Sequence, residues 1–104
     1  MTLTATAIAD GQVPDTKTTL YTSPSGITTL IKGMTFVNTS STPQSLTLFA
    51  NRSGTSRQYV SVTLEEGDML VADGALTLEA SDELEAQTTT AAVVDYLISG
   101  VQIS

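Results

Sequence analysis

One short phrase occurs twice between Thr63 and Leu84, and each copy contains a tight acidic turn. The first copy reads Thr-Leu-Glu-Glu-Gly-Asp over residues 63–68, and the second reads Thr-Leu-Glu-Ala-Ser-Asp over residues 77–82. Each is typical of a strand end, a turn and a strand start, and Asp73-Gly74 between them is a further turn signal. So many turns in so few residues predict a β-meander whose acidic turns are hairpin tips on one exposed rim.

Short strands separated by turns are predicted along the whole chain. Apolar and polar residues alternate with period two, and no segment shows a helical period. The predicted strands cover residues 2–9, 18–22, 28–38, 45–50, 59–64, 69–72, 76–78, 84–89 and 92–103. Without crossover helices the sheets should be antiparallel. The predicted fold is therefore an all-β antiparallel sandwich of jelly-roll or Greek-key type with about eight strands.

The length predicts a single domain over residues 1–104. Residues 1–10 form either an edge strand or an arm that reaches a neighbouring subunit. Residues 51–57 are predicted as a loop with Gly54 at its tip. Gly100 is expected to mark a β-bulge, after which Val101 and Ile103 can change face.

The side chains that most enzymes use are scarce. The sequence has no histidine and no cysteine, and no serine lies in a Gly-x-Ser-x-Gly elbow. We therefore expect no catalytic residue and no cofactor. One alternative for the carboxylates is a calcium site in which Asp68, Asp73 and Asp82 converge at one end of a sandwich. The other is solvated turns capped by aspartate, which is favoured because the EF-hand pattern is absent, so no metal ligand is predicted.

The charge of the chain excludes two classes of partner. The net charge is −7, with only four basic residues. This opposes binding to nucleic acid and to an anionic membrane surface. No apolar run approaches the roughly 20 residues of a membrane span, and the N-terminus does not resemble a secretory signal. We expect a soluble protein made in the cytoplasm.

The only two arginines, Arg52 and Arg57, flank a predicted loop, while the acidic residues are concentrated elsewhere. In one interpretation this loop contacts Glu65, Glu66 and Asp68 of a neighbouring copy and forms ion pairs between subunits. In the other it is a solvated loop. Two further candidates for an intermolecular contact lie in the N-terminal strand, namely Leu3 and Ile8.

Short motifs along nearly the whole chain form a recurring pattern. They are Gly11-Gln12-Val13-Pro14, Thr19-Leu20-Tyr21-Thr22, Pro24-Ser25-Gly26, Lys32, Phe36-Val37-Asn38-Thr39, Gly67-Asp68, Leu78 to Leu84 and Ile98 to Ile103. Together they resemble a run found in small virion proteins of tailed bacteriophages. Ser81 departs from the pattern, since a glycine is expected before Asp82, and the turn there can be of a different type. The resemblance implies a β-sandwich structural protein without catalysis, used on heads or on tails and fibres.

Capsid decoration proteins resemble this chain in being short, single-domain, cysteine-free and β-rich, and they commonly form trimers. A negative charge suits the outer surface of a head better than a surface facing packaged DNA. We therefore expect a capsid decoration (cement) protein on the outer surface of the virion. Its partners would be itself, as a homotrimer, and the major capsid protein, and it would stabilise the assembled shell. The alternative is a tail or fibre domain that binds a host surface glycan, with or without calcium.

Overall fold

The computed structural model describes residues 2–72 and 76–104 and consists of strands joined by turns. The described residues contain no helix, so the all-β prediction is confirmed. The strands are β1 Leu3–Gln12, β2 Thr18–Thr22, β3 Thr28–Asn38, β4 Gln44–Arg52, β5 Thr55–Leu64, β6 Met69–Ala72, β7 Leu76–Leu78, β8 Glu83–Gln87 and β9 Val94–Ile103.

The strands form two antiparallel sheets that pack into a sandwich, as predicted. Sheet I has the order β1-β9-β3-β6, with β7 also paired to β3, and sheet II has the order β2-β8-β4-β5. The two sheets enclose one hydrophobic core, in which the rings of Phe36 and Tyr96 lie 5.9 Å apart between centroids. Most of the other core side chains are aliphatic, among them Ile31, Met34, Leu46, Leu48, Leu78, Leu84, Val94 and Ile98.

The strand order is that of a jelly roll. The chain doubles back at the β4–β5 turn, so that β4 pairs with β5, β3 with β6 and β7, β2 with β8, and β1 with β9. This long double hairpin is then rolled up, which brings β9 beside β3 and β8 beside β4. If β6 and β7 are counted as one divided strand, the fold has the eight strands of a jelly roll.

The acidic turns connect strands of different sheets, so the predicted meander is wrong. The first turn leads from β5 in sheet II to β6 in sheet I, and the second leads from β7 in sheet I to β8 in sheet II. β6 and β7 both run antiparallel to β3 and hence in the same direction. The acidic turns are therefore corners of the sandwich and not hairpin tips. The turn predicted at Asp73-Gly74 lies outside the described residues.

Two β-bulges flank β9 near Gly100, but neither is in β9 itself. Ile8 is the extra residue of β1, and Lys32 is the extra residue of β3. Gly100 is needed for a different reason, since a Cβ atom there would lie 2.2 Å from the carbonyl oxygen of Leu30. Because β9 has no bulge, its alternation continues to Ile103, and the predicted change of face does not occur.

Replacing Gly100 with alanine should destabilise the fold by about 3 kcal/mol or more, because backbone atoms of β3 would have to move. Gly33→Ala is the matched control, since a Cβ atom there would meet only the Ser99 Oγ, at 3.8 Å. That variant should remain within about 1 kcal/mol of wild type. Urea unfolding of both variants measures the difference, and similar losses would contradict a steric role for Gly100.

Asn38, at the end of β3, joins three segments through its buried side chain. Its Nδ2 donates to the carbonyl oxygens of Thr42, Leu64 and Glu65 at 2.8–3.2 Å. Its Oδ1 accepts from the backbone N–H and the hydroxyl of Ser40. The side chain therefore holds together the β3–β4 corner, the end of β5 and the first acidic turn.

Asn38→Ala should cost about 3 kcal/mol, because it leaves buried carbonyl groups without donors. Thr39→Ala removes a single exposed hydrogen bond, from the Thr39 hydroxyl to the Val93 carbonyl oxygen, and should cost about 1 kcal/mol or less. Chemical denaturation compares the two. Equal costs would mean that the Asn38 amide is not the link between these segments.

Candidate functional site

The outer face of sheet I carries large apolar side chains that the chain itself leaves uncovered. Among the described residues, four of the five exposed large hydrophobic side chains lie here, and each is 58–65 % exposed: Leu3, Met69, Val71 and Leu97. Half-buried aliphatic side chains fill the space between them: Leu30, Val37, Val101 and Ile103. We call this outer face of sheet I the apolar face. Apolar patches of this extent on a small protein are typical of interaction sites.

The outer face of sheet II is polar by contrast. Its alternating residues include Glu83 and Glu85 of β8, and Glu85 accepts a 2.7 Å hydrogen bond from the Ser56 hydroxyl. Phe49 on this face has the Lys17 ammonium 5.0 Å from its ring centroid. We call this surface the polar face. The two outer faces of the sandwich are thus chemically unlike.

A groove crosses the middle of the apolar face. Ala7 and Gly33 are both paired with Ser99, so three small residues lie in one row across β1, β9 and β3. In the next row, Leu97 and Val71 flank Thr35 as its partners on the two neighbouring strands. The first row is called the groove row and the second the ridge row. The groove encloses about 550 Å³ and is lined mainly by apolar atoms.

Two of the predicted contact residues lie at this surface. Leu3 is exposed at one end of the apolar face, and Ile8, in the β1 bulge, lines the groove. The N-terminal strand pairs with β9 of its own chain over nearly its whole length, as an edge strand of sheet I. Sequence reasoning missed Met69, Val71 and Leu97. The available signal was the apolar character of both phases in β9, where Leu97 adjoins the buried Ile98.

The predicted arginine loop is a tight hairpin in which β4 and β5 continue to Arg52 and Thr55. The tip is formed by Ser53 and Gly54 alone, with φ values of 55° and 85°. Arg52 Nη2 donates to the Thr77 carbonyl oxygen at 2.6 Å, so its side chain reaches from sheet II to sheet I. Arg57 is exposed on the edge strand β5, opposite Ala50. Both arginines thus belong to the side of the sandwich where β5 and β7 form the sheet edges.

The two acidic turns have the same structure. In the first, the Glu65 N–H donates to Asp68 Oδ2 at 3.0 Å, and in the second the Glu79 N–H donates to Asp82 Oδ2 at 3.1 Å. The third residue of each has a positive φ, 74° at Gly67 and 71° at Ser81. The capping role of the aspartates is confirmed. The expectation of a different turn type at Ser81 is wrong, because the capping hydrogen bonds hold serine in the conformation that glycine adopts freely.

The acidic turns lie at opposite ends of the sandwich, so the predicted common rim is wrong. The first is bonded to Asn38 at the end of β3, and the second follows β7, which ends opposite Thr29 near the start of β3. Nine residues of extended strand place the two ends about 30 Å apart. Asp68 and Asp82 therefore cannot share a calcium ion. The predicted contact residues Glu65, Glu66 and Asp68 are likewise separated from the arginines of the same chain by the length of β5.

Ser81→Gly should stabilise the protein by about 1 kcal/mol, since it removes the strain of a left-handed serine. Gly67→Ser makes the reverse change in the same turn at the other end and should destabilise by about 1 kcal/mol. Thermal or urea unfolding gives both values. Changes of the same sign would show that the two turns are not equivalent.

The described residues bring no set of metal ligands together. No cluster of three or more His, Cys, Asp or Glu side chains that could hold a metal occurs within residues 2–72 and 76–104. Burial raises the pKa of the Tyr96 phenol, and the nearby charge of Asp10 raises it further. Tyr96 is therefore protonated at neutral pH and is not a base.

No helix in the described part of the chain is long and apolar enough to cross a membrane.

Comparisons with known proteins show similarity in fold. No protein-family model and no curated protein match the sequence. A protein of Bacillus endospore appendages, described as disulfide-linked pili, aligns with a TM-score of 0.56 and 14% identity over 99% of this chain and 88% of that one. A chain of infectious bursal disease virus, Gx strain, aligns with a TM-score of 0.54 and 15% identity over 97% of this chain and 32% of that one. At these identities the similarities establish a common fold and nothing further.

Proposed function

We propose that this protein is a bacteriophage capsid decoration (cement) protein, which binds the outer surface of the head and stabilises the shell. The observation that carries the proposal is the contrast between the two outer faces of the sandwich. In a free monomer the apolar side chains of Leu97, Val71 and Met69 are exposed to water, which is unfavourable. A subunit within an assembly would bury these side chains against its neighbour. The polar face, where the exposed Thr19 hydroxyl donates to Glu83, suits contact with solvent on the outside of a particle.

Three further observations support this role. The sequence motifs resemble those of small phage virion proteins, as described above. The jelly roll is a fold that capsid proteins use widely. The absence of histidine and cysteine, together with the lack of a metal-ligand cluster among the described residues, supports a structural function over an enzymatic one. The proposed partners are the major capsid protein and other copies of this chain, with the trimer that the resemblance implies.

Stabilisation of the shell follows from binding to its assembled form alone. A protein that binds only the closed shell shifts the equilibrium away from opening, by about 2.7 kcal/mol per site at a free concentration of about 100 times Kd. Many such sites on one particle act together. This way of stabilising the shell requires no catalytic reaction.

The alternative role in a tail or fibre, with recognition of a host glycan, has less support. Sugar binding on a sandwich surface generally uses exposed aromatic rings for stacking. The residues that line the groove include no aromatic side chain. The apolar face is better suited to another protein surface than to a sugar.

The test is to locate the protein on particles of the phage that encodes it. A gold-labelled antibody should bind the head, and particles that lack the protein should release DNA at a lower temperature than complete particles. Adding purified protein back should restore heat resistance, because binding is to the finished shell. Labelling of tails alone, or unchanged heat resistance of particles without the protein, would overturn the proposal.

A further inference from the structure

We propose that the apolar faces of two copies of this chain pack against each other about a two-fold axis. The inference rests on the assembly role proposed above and names the partner of the apolar face. The partner is a second copy because the face is complementary to itself in shape and in charge.

The shape complementarity comes from the order of the rows. The groove row, with Ser99 at its centre, lies directly beside the ridge row, in which Leu97 of the same strand lies between Asp10 and Thr35. A two-fold axis that lies between these rows, parallel to both and in the plane of contact, exchanges them. Each Leu97 then enters the groove of the other copy at the small residues Ala7, Ser99 and Gly33. Two sheet faces packed in this way are about 10 Å apart, the usual spacing in a sandwich.

The charges are complementary about the same axis. Lys32 is exposed, and because β3 has neighbours on both sides its side chain can reach solvent only on the apolar face. As the extra residue of the β3 bulge it adjoins Gly33 of the groove row, so the axis places it next to the ridge row of the other copy, on the side towards Val37. Asp95 of the other copy lies beside that position, on the strand adjacent to β3 and about 5 Å from it. The pair forms twice, once on each side of the axis.

The size of the face is sufficient for a specific contact. Four strands and about nine residues of strand length give an area of about 600 Å² on each copy. The total of about 1,200 Å² is at the lower end of the range for stable interfaces. A contact of this size should depend on protein concentration.

The symmetry of the contact has a consequence for assembly. An isologous contact closes with two copies and does not lead to a trimer. A trimer must therefore use another surface of the chain. The apolar contact would then join one copy of a trimer to one copy of the next.

Sedimentation of the purified chain from about 1 µM to about 300 µM tests the proposal. The sedimenting species of the wild-type protein should increase in mass as the concentration rises, because the chains associate in pairs. Leu97→Glu should raise the dissociation constant about 100-fold or more, because it places a charge in the partner's groove. Tyr59→Glu is the matched control, since Tyr59 is an exposed large side chain on β5 in the other sheet, and it should leave the association unchanged.

A charge exchange provides a test that does not depend on folding of the Leu97 variant. Lys32→Glu and Asp95→Lys should each weaken association, and the double variant should recover most of the loss. A monomer at every concentration would overturn the proposal, as would association that Leu97→Glu leaves intact or that the double variant fails to restore. Monomers that still label heads would refute this contact alone, while dimers found only on tails would refute the decoration role alone.

Discussion

The side chain of Asn38 is the constraint on which the arrangement of the two sheets depends. β3 is the central strand of sheet I, with β9 on one side and β6 and β7 on the other. At its end the chain must pass to sheet II, and β5 must return from sheet II beside it. These passages leave carbonyl groups away from water, and a single amide supplies donors to three of them. Hydrogen bonds are directional, so the buried Asn38 amide can bond fully in only one arrangement of the corners. An apolar contact does not select one arrangement in this way.

The strands could be predicted from the sequence, whereas their partners could not. Alternation with period two depends on which side of a strand is buried, and this is visible in the residues themselves. Pairing depends on distant segments, and a local hairpin and a jelly-roll corner can have the same turn residues. The repeated phrase around Asp68 and Asp82 was read correctly as two capped turns, yet each turn crosses between sheets. The sequence did not reveal the bulges at Ile8 and Lys32, because a bulge is defined by the pairing of β1 and β3 with the distant strand β9.

The apolar residues of the apolar face are visible in the sequence, but the sequence does not show that they form one exposed surface. Apolar residues in both phases of β3 and β9 predict strands that are covered on both sides. In the structure the inner side is covered by sheet II, and nothing in the described chain covers the other side. A pattern that suggests a central buried strand thus describes, in a two-layer sandwich, a strand with one side in the core and an apolar outer side open to solvent. Leu97 beside Ile98 is the plainest case, since one side chain lies in the core and its neighbour lies in solvent.

The double hairpin also determines the order in which contacts can form during folding. Within residues 2–72 and 76–104, β4 and β5 are the only paired strands that follow each other directly in the chain, and their hairpin can close within about 1–10 µs. Each later pair encloses a longer loop, up to β1 and β9, whose residues Gln12 and Asp95 are 83 positions apart. Contacts of such high order slow folding to milliseconds or seconds. During that interval the edges of sheet I and its apolar face are exposed together. The surface that we propose to serve in assembly is therefore also a risk for misassociation in a newly made chain.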